Sequence, residues 1–454
     1  MRVRVTPGAT VQGRLRVPGD KSIAHRWLIA ASIAEGSSRL VGLPTALDVR
    51  STAACLATLA PAGRPGLEAW ASSHASPDER NGSTWNRPGS RVEHLEVEGE
   101  GRAALVPPEG ALDCGNSGTT MRLLCGLLAA APFRAVLSGD GSLRRRPMER
   151  VARPLRAMGA TVTTADGTPP VQIEGGSLHP IRFEADVPSA QVKSAVLLAA
   201  AAAEGPTTVL EPVATRDHTE RLLAALGARV DVDGGTVRLD GPFAFPPFSA
   251  TVPGDPSSAA FVVAAALLTG GRIAVEDVGV NPSRLGWVRI CGRAGAAVEV
   301  ETSGSVLGEP VGSISTSGSA GAGLHVASDE LPIVIDEVPI LAALAAHADH
   351  GSRFEGGAEL RVKESDRLAA LTDGIRGLGG HADVEADDLV VAGGGLRGGR
   401  ASAAGDHRIA MALVVASLAA DGPCEIDGVE AADVSYPGFV GALAALGARI
   451  EELR

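Results

Sequence analysis

The sequence predicts an α/β protein of two domains, built from six repeated units of helix and short strand around a cleft between the domains. Two observations lead to this prediction. The chain has 454 residues, which is too long for one ordinary hydrophobic core and suggests two domains of about 200 residues each. A phrase in which Leu-Gly-Ala joins an amphipathic helix to a short strand also recurs along the chain, as expected of repeated structural units.

The glycine of this phrase measures the repeat. It occurs at Gly159, Gly227, Gly295, Gly379 and Gly447, with spacings of 68, 68, 84 and 68 residues. A degenerate copy at 55–60 ends 99 residues before the first of these glycines. The chain is therefore predicted to contain six units of about 68 residues, three in each domain.

Two spacings exceed the unit length and predict two insertions. The first excess is 31 residues and falls in 61–95, a stretch rich in Pro, Ser, Gly, Asn and Arg that shows no periodicity. The second is 16 residues and matches 302–323, which consists mostly of Ser, Gly and other small residues. Both segments are predicted to be exposed loops.

Composition excludes several classes of protein. Hydrophobic residues make up 45% and charged residues 21% of the chain, which is typical of a globular protein. The net charge of −12 and the small aromatic set of 8 Phe, 4 Trp and 1 Tyr argue against nucleic-acid binding. No apolar run reaches membrane-spanning length, and the N-terminus lacks a signal-peptide core. The five cysteines form no metal or disulfide pattern, so we expect a cytoplasmic protein without a metal.

Only three of the 41 Lys and Arg residues are lysines: Lys21, Lys193 and Lys363. A lysine ammonium is compact and its pKa can be tuned for proton transfer, which arginine cannot offer. Lys21 and Lys363 lie in dense polar clusters and are candidates for chemistry, whereas chance remains an equal explanation for Lys193. The segment 361–367 holds five charged residues, and helical spacing would place Lys363 and Arg367 on one face.

Six apolar helices are predicted to begin directly after short polar turns. These turns are at 19–22, 116–119, 188–191, 255–258, 336–339 and 406–408. Ser22, Ser189 and Ser257 are plausible N-caps. If these N-termini face one cleft, their unpaired N–H groups and partial positive charge form an anion site. Such a cleft in an acidic protein suits a small substrate with several negative charges.

The same polar segments carry a family resemblance. Six ordered motifs, at 18–26, 113–122, 138–148, 189–194, 359–368 and 406–411, closely resemble those of the 5-enolpyruvylshikimate-3-phosphate synthases. The resemblance implies a two-domain enolpyruvyltransferase-like fold in which 1–18 and 251–454 form the first domain and 19–250 the second. It also implies transfer of the enolpyruvyl group of phosphoenolpyruvate to the 5-hydroxyl of shikimate 3-phosphate, without a cofactor and by a monomer.

Site residues follow from the resemblance by matching each motif position. Shikimate 3-phosphate would bind Lys21, Ser22, Arg26, Ser189, Ala190, Gln191, Asp336 and Lys363. Phosphoenolpyruvate would bind Lys21, Gly118, Arg146, Gln191, Arg367 and Arg408. Asp336 would be the base for the 5-hydroxyl, and Glu364 with Lys21 would protonate the methylene carbon. Fixed cations would stabilise the anionic tetrahedral intermediate by electrostatic preorganisation.

Two departures from the family pattern and two alternatives remain. Some members have a Lys near the C-terminus that touches phosphoenolpyruvate, and 433–437 has none. Gly118 keeps space that an Ala would fill, which predicts inhibition by glyphosate-like mimics of phosphoenolpyruvate. The first alternative is a UDP-N-acetylglucosamine enolpyruvyltransferase, although the loop 139–147 lacks the reactive Cys of that family. The second is a non-catalytic anion-binding scaffold.

Overall fold

Six small sheets of similar topology make up the computed structural model, which describes residues 1–61, 65–72, 94–318 and 321–453. Within these residues each sheet starts from a parallel pair of strands, and an antiparallel strand follows. Five of the six sheets add a fourth, antiparallel strand. The repeated unit predicted from the glycine spacing is therefore a real structural unit.

Three sheets contain strands from the two ends of the chain. Their strands, in the order of each sheet, are β21 (Gly399–Ser402), β22 (Cys424–Asp427), β1 (Arg2–Thr6) and β23 (Arg449–Leu453); β15 (Val298–Val306), β16 (Glu309–Ser317), β14 (Arg272–Gly279) and β2 (Gly13–Leu15); and β17 (His325–Val326), β18 (Ser352–Phe354), β20 (Asp388–Val391) and β19 (Ala382–Glu385).

The other three sheets come from the middle of the chain. Their strands are β11 (Arg229–Asp233), β12 (Thr236–Gly241), β10 (Gly205–Leu210) and β9 (Arg182–Glu184); β13 (Ser249–Thr251), β3 (Glu35–Val41) and β4 (His94–Glu100); and β5 (Leu112–Asp113), β6 (Arg134–Ser138), β8 (Thr168–Glu174) and β7 (Thr161–Ala165).

The helices pack between and behind these sheets. In chain order they are α1 (Lys21–Ser32), α2 (Leu47–Thr58), α3 (Pro65–Ser72), α4 (Gly118–Leu128), α5 (Glu149–Ala157), α6 (Ala190–Ala200), α7 (His218–Ala225), α8 (Pro256–Thr269), α9 (Gly286–Arg293), α10 (Leu331–Val334), α11 (Val338–Ala346), α12 (Arg367–Gly377), α13 (His407–Ser417) and α14 (Phe439–Ala445). Every residue of α11 and α13 is buried, as their apolar composition predicts. No helix in the described ranges is long and apolar enough to cross a membrane.

Two separate clusters of buried apolar side chains divide the molecule. One cluster takes its members from 3–17 and 259–448, and the other from 23–252. We call the parts built around them the first lobe and the second lobe. The predicted domain boundaries near 18 and 250 remain a prediction, which this separation of the cores supports.

The two connections between the lobes run side by side. Asp20 donates its backbone N–H to the carbonyl of Pro253 at 2.7 Å, and Asp255 donates to Pro18 at 2.8 Å. Gly19 and Gly254 form an antiparallel bridge between these hydrogen bonds. A Cβ on Gly19 would lie 2.3 Å from the carbonyl oxygen of Gly42, so glycine is required where the chain changes lobe.

The segment 302–323 is not the exposed loop that its composition predicts. Its first half lies in the antiparallel hairpin of β15 and β16, which turns at Leu307 and Gly308. The small residues alternate with apolar ones along β16, so that Ile314 is buried against the first core. A period of two with half of the positions buried favours a strand even when the other half are Ser, Gly and Thr.

The insertion at 61–95 is described only in part. Within it, α3 packs on α2 and β4 and buries Leu67 and Trp70 in the second core, so the prediction of a loop is wrong for 65–72. The remainder of the predicted loop, apart from the end of β4, lies largely outside the described residues.

Candidate active site

A cavity of about 380 Å³ lies between the lobes, and both lobes supply its walls. It brings together eleven residues that were predicted to act in the site: Lys21, Ser22, Gly118, Arg146, Ser189, Ala190, Gln191, Asp336, Lys363, Glu364 and Arg408. Two others, Arg26 and Arg367, lie behind its wall. The segment 433–437, which lacks the Lys of some related enzymes, is not among the lining residues.

Helix N-termini line this cavity from both lobes. The first turns of α1, α4 and α6 contribute from the second lobe, and that of α13 contributes from the first. Their open N–H groups and dipoles make the cavity attractive to anions. All six helices begin at the predicted polar turns, which confirms the pattern read from the sequence.

The predicted N-caps are only partly right. Ser189 caps α6 by accepting the N–H of Val192, as predicted. Ser22 and Ser257 lie inside their helices, because the carboxylates of Asp20 and Asp255 accept N–H groups of the first turn instead. An Asp directly before the helix is as good a cap as a Ser one residue later and adds favourable charge at the positive end.

Lys21 projects from the first residue of α1 and forms an ion pair with Asp48 of α2. The Nζ atom is 2.7 Å from Asp48 Oδ2, and both side chains are mostly buried. Burial would raise the pKa of Asp48, but Lys21 and His25 lower it below its usual range. Asp48 was not predicted from sequence, because no motif marks it and its partner is 27 residues away.

Asp336 lies directly before α11 and is surrounded by cations from both lobes. Its Oδ2 is 2.6 Å from Arg216 of the second lobe and 3.6 Å from Arg408, and its Oδ1 is 3.7 Å from Arg367. Burial would raise the pKa of Asp336, but Arg408, Arg216 and Lys363 hold it well below its usual range. The carboxylate is therefore ionised and ready to accept a proton.

Glu364 is the second carboxylate of the cavity. Arg367 donates to its Oε2 at 2.6 Å, and Arg146 of the opposite lobe lies 3.4 Å from its Oε1. Burial would raise the pKa of Glu364, yet Arg367, Arg146 and His407 lower it well below its usual range. Without bound anions Glu364 is thus a carboxylate and not a proton donor.

Lys363 and Arg367 do not share a helix face as predicted. The segment 361–366 is a series of turns, and α12 begins only at Arg367 because Asp366 accepts the N–H of Ala369 and caps the helix there. Lys363 lines the cavity, where burial lowers its pKa and Asp336 opposes that shift. Arg367 is 1% exposed and donates to Asp406 at 2.8 Å, so it acts on the cavity through the carboxylates that it holds.

Arg26 is also buried, with its guanidinium directed into the second lobe. It donates to the carbonyl of Ser22, to Ser194 Oγ and to Thr219 Oγ1 at 2.7 to 2.8 Å. Burial lowers its pKa to about 10. These bonds join α1, α6 and α7 beneath the cavity, and they place Ser22 rather than present Arg26 to it.

The remaining predicted residues are held by polar contacts at the wall. Arg146 donates to Asn116 Oδ1 at 2.6 Å. Gln191 donates to Thr119 Oγ1 at 2.8 Å and accepts from Arg122. A Cβ at Gly118 would lie 2.9 Å from Arg122 Nη1 and 3.2 Å from Arg146 Nη1. Gly118 therefore leaves room for two guanidinium groups at one helix N-terminus.

Sequence reasoning missed three cations of the second lobe that line the cavity. They are Arg122, Arg150 and Arg216. For Arg216 a signal exists, because the triplet Arg216-Asp-His precedes α7 much as Asp406-His-Arg408 begins α13. Across the described ranges, no group of three or more His, Cys, Asp or Glu side chains is arranged to hold a metal ion.

Comparisons with known proteins agree with this geometry. Residues 5–63 and 86–443 match the sequence model of the EPSP synthase (3-phosphoshikimate 1-carboxyvinyltransferase) family. The chain is 44% identical over 452 residues to the 3-phosphoshikimate 1-carboxyvinyltransferase of Halorhodospira halophila, covering 99% of this chain and 96% of that protein. The same-named protein of Nitrosococcus oceani is 42% identical over 439 residues, covering 96% and 94%.

Solved structures give the same picture. The EPSP synthase of Acinetobacter baumannii superposes with a TM-score of 0.81 at 38% identity, covering 99% of both chains. The enolpyruvyl transferase NikO of Streptomyces tendae superposes with a TM-score of 0.73 at 20% identity, covering 99% of this chain and 98% of that one. The second similarity bears on the fold alone.

Proposed function

The chain belongs to the EPSP synthase (3-phosphoshikimate 1-carboxyvinyltransferase) family, and from that premise we propose how its residues share the reaction. The enzyme transfers the enolpyruvyl group of phosphoenolpyruvate to the 5-hydroxyl of shikimate 3-phosphate and releases phosphate, a step of the shikimate pathway to aromatic amino acids. The observation that carries the assignment of roles is that Lys21, Asp336 and Glu364 line one cavity walled by cations.

Substrate binding falls to the helix N-termini and their neighbouring cations. Shikimate 3-phosphate takes the side of the cavity with Ser22, Ser189 to Gln191, Asp336 and Lys363, and we add Arg216 to this set because it pairs with Asp336. Phosphoenolpyruvate takes the side with Gly118, Arg146 and Arg408. Arg26 and Arg367 support these groups from behind the wall.

The addition step needs a base for the 5-hydroxyl and a proton for the methylene carbon. Asp336, ionised among its cations, accepts the hydroxyl proton while the oxygen bonds to the enol carbon of phosphoenolpyruvate. Glu364 becomes competent as an acid once two anionic substrates lie beside it, because neighbouring negative charge raises a carboxyl pKa. The Lys21 ammonium stands beside it as the second donor.

The elimination step reverses the proton movements. Loss of phosphate and of a proton from the new methyl group restores the double bond, with the proton returning to the group that supplied it. The anionic tetrahedral intermediate between the two steps is stabilised by fixed Arg and Lys side chains that need not reorganise. No residue of the cavity forms a covalent bond in this scheme.

The experiment that tests the assignment measures phosphate release from phosphoenolpyruvate with shikimate 3-phosphate, with UDP-N-acetylglucosamine and with no acceptor. We expect release that depends on shikimate 3-phosphate. Release only with the nucleotide sugar would overturn the acceptor, and no release from folded protein would favour the scaffold alternative. We also propose that the enzyme is a cytoplasmic monomer, which light scattering and cell fractionation test.

A further inference from the structure

Lys193 is the one lysine of the chain that does not line the cavity. It lies on α6, where its Nζ is 2.7 Å from Glu211 Oε2 and 2.7 Å from Glu220 Oε1. The side chains of these three residues, which we call the lysine triad, are 2 to 4% exposed. A cluster this deeply buried cannot meet a substrate, so its function must be exerted on the protein itself.

Stability alone is a weak reason for such a triad. Two buried carboxylates share one ammonium, and buried charges often contribute less stability than apolar side chains of the same volume. Burial would lower the pKa of Lys193, but Glu220 and Glu211 raise it above its usual range. The lysine thus stays charged, and the cluster holds its partners in fixed positions.

The triad is connected to the cavity through one residue. Glu211 ends the segment that follows β10, and its carboxylate accepts from Thr215 Oγ1 at 2.5 Å and from the Thr215 N–H at 3.3 Å. Thr215 and its neighbour Arg216 line the cavity. Arg216 Nη2 in turn is 2.6 Å from Asp336 Oδ2 in the other lobe.

The far side of Arg216 is fixed as well. Asp217 accepts from Asn281 Nδ2 of the first lobe at 2.7 Å. His218 Nδ1 is 2.7 Å from Glu309 Oε1, at the base of the hairpin turn. Arg216 is therefore held between an anchor in its own lobe and an anchor in the other.

We propose that Lys193 is a positioning residue for catalysis: through Glu211 and Thr215 it fixes the segment 211–216 so that Arg216 meets Asp336 and the acceptor. The proposal rests on the proposed function, since the acceptor side of the cavity is where Asp336 and Arg216 act. It predicts that the triad affects use of shikimate 3-phosphate only as long as Arg216 is present.

A double-mutant cycle tests this dependence. Thr215→Val cuts the link while leaving the triad intact, and Arg216→Gln removes the group that is positioned. We expect Thr215→Val to lower kcat/KM for shikimate 3-phosphate about tenfold, the scale of one hydrogen bond to a charged group. We expect Arg216→Gln to lower it further, and the double variant to match Arg216→Gln alone.

The matched control is Thr207→Val, which removes a buried hydroxyl from β10 outside the segment and should leave kcat/KM within twofold. Effects of Thr215→Val that multiply with those of Arg216→Gln would overturn the proposal and reduce the triad to a structural role. Lys193→Met should repeat the pattern, but it leaves two carboxylates facing each other, so Thr215→Val decides if that variant does not fold. Wild-type protein without phosphate release that depends on shikimate 3-phosphate would instead refute the proposed function.

Discussion

The two walls of the cavity differ in charge. Among the lining residues described, the second lobe presents five cations, Lys21, Arg122, Arg146, Arg150 and Arg216, against one acid, Asp48. The first lobe presents four acids, Asp255, Asp336, Glu359 and Glu364, with four cations, Arg284, Arg289, Lys363 and Arg408. An excess of positive charge attracts anions, whereas carboxylates held by cations can exchange protons. The comparison suggests that the second lobe mainly binds and the first lobe mainly moves protons.

The largest effect should come from the wall that moves protons. Asp336→Asn removes the base but keeps the shape of the side chain, so we expect kcat to fall about 10³-fold, within the usual range for general bases. Shikimate 3-phosphate should still bind, as measured by calorimetry, because the cations of the second lobe remain. Asp373→Asn, an exposed acid on α12 of the same lobe, is the control. Undiminished turnover in Asp336→Asn would break the division between the walls.

A smaller effect is expected from the binding wall. Gly118→Ala places a methyl group against the ends of Arg122 and Arg146, which can shift because both side chains are flexible. We expect KM for phosphoenolpyruvate to rise about fivefold, with a larger loss of inhibition by glyphosate-like mimics and little change in kcat. Gly141→Ala, where a Cβ meets only Arg145 at 3.9 Å, is the control. A fall in kcat without a change in KM would show that this wall also serves the chemistry.

The smallest effect vanishes at neutral pH and concerns the support of the binding wall. Burial, with help from Lys21 and Arg26, lowers the pKa of His25 to about 3, while the unfolded chain has about 6.5. The unfolded state therefore takes up the proton first, and stability is lost as pH falls below about 6.5 toward 3. His25 should contribute a slope of about 1.4 kcal/mol per pH unit in this range.

Urea unfolding between pH 7 and 4.5 measures that slope. His25→Gln should flatten the curve by this amount, while part of the acid sensitivity remains because the pKa of His407 is also lowered by burial, to about 4. The exposed His381→Gln should leave the slope as it is. An unchanged slope in His25→Gln would mean that His25 is not held neutral in the folded protein.

Much of this could be predicted because the signals are local. The start of each apolar helix follows from a polar turn beside it, and the six units follow from glycines such as Gly159 and Gly227, which recur at one spacing. Both have positive φ, which explains why the position keeps a glycine. Lys21, Asp336 and Glu364 were found because motifs mark them, and the structure brings them to one cavity.

What could not be predicted depends on contacts between distant residues. Asp48 and Arg216 act through partners on other elements, and no pattern in the sequence joins them. Arg26 and Arg367 lie in motifs, but only packing shows that their guanidinium groups stay behind the wall. The hairpin at 298–317 was missed because its composition is that of a loop, while its exposed alternate positions need no apolar residues.

The sheet that joins both ends of the chain has a consequence for how the protein is made. Strand β1 leaves the ribosome first, yet its two neighbours, β22 and β23, are among the last segments to follow. At about 5 to 20 residues per second, β1 waits roughly 20 to 90 s without a partner, while the second lobe can complete its own core. The nascent chain thus carries an open strand edge through most of its synthesis, and this edge is where a chaperone or a truncated product would be expected to engage it.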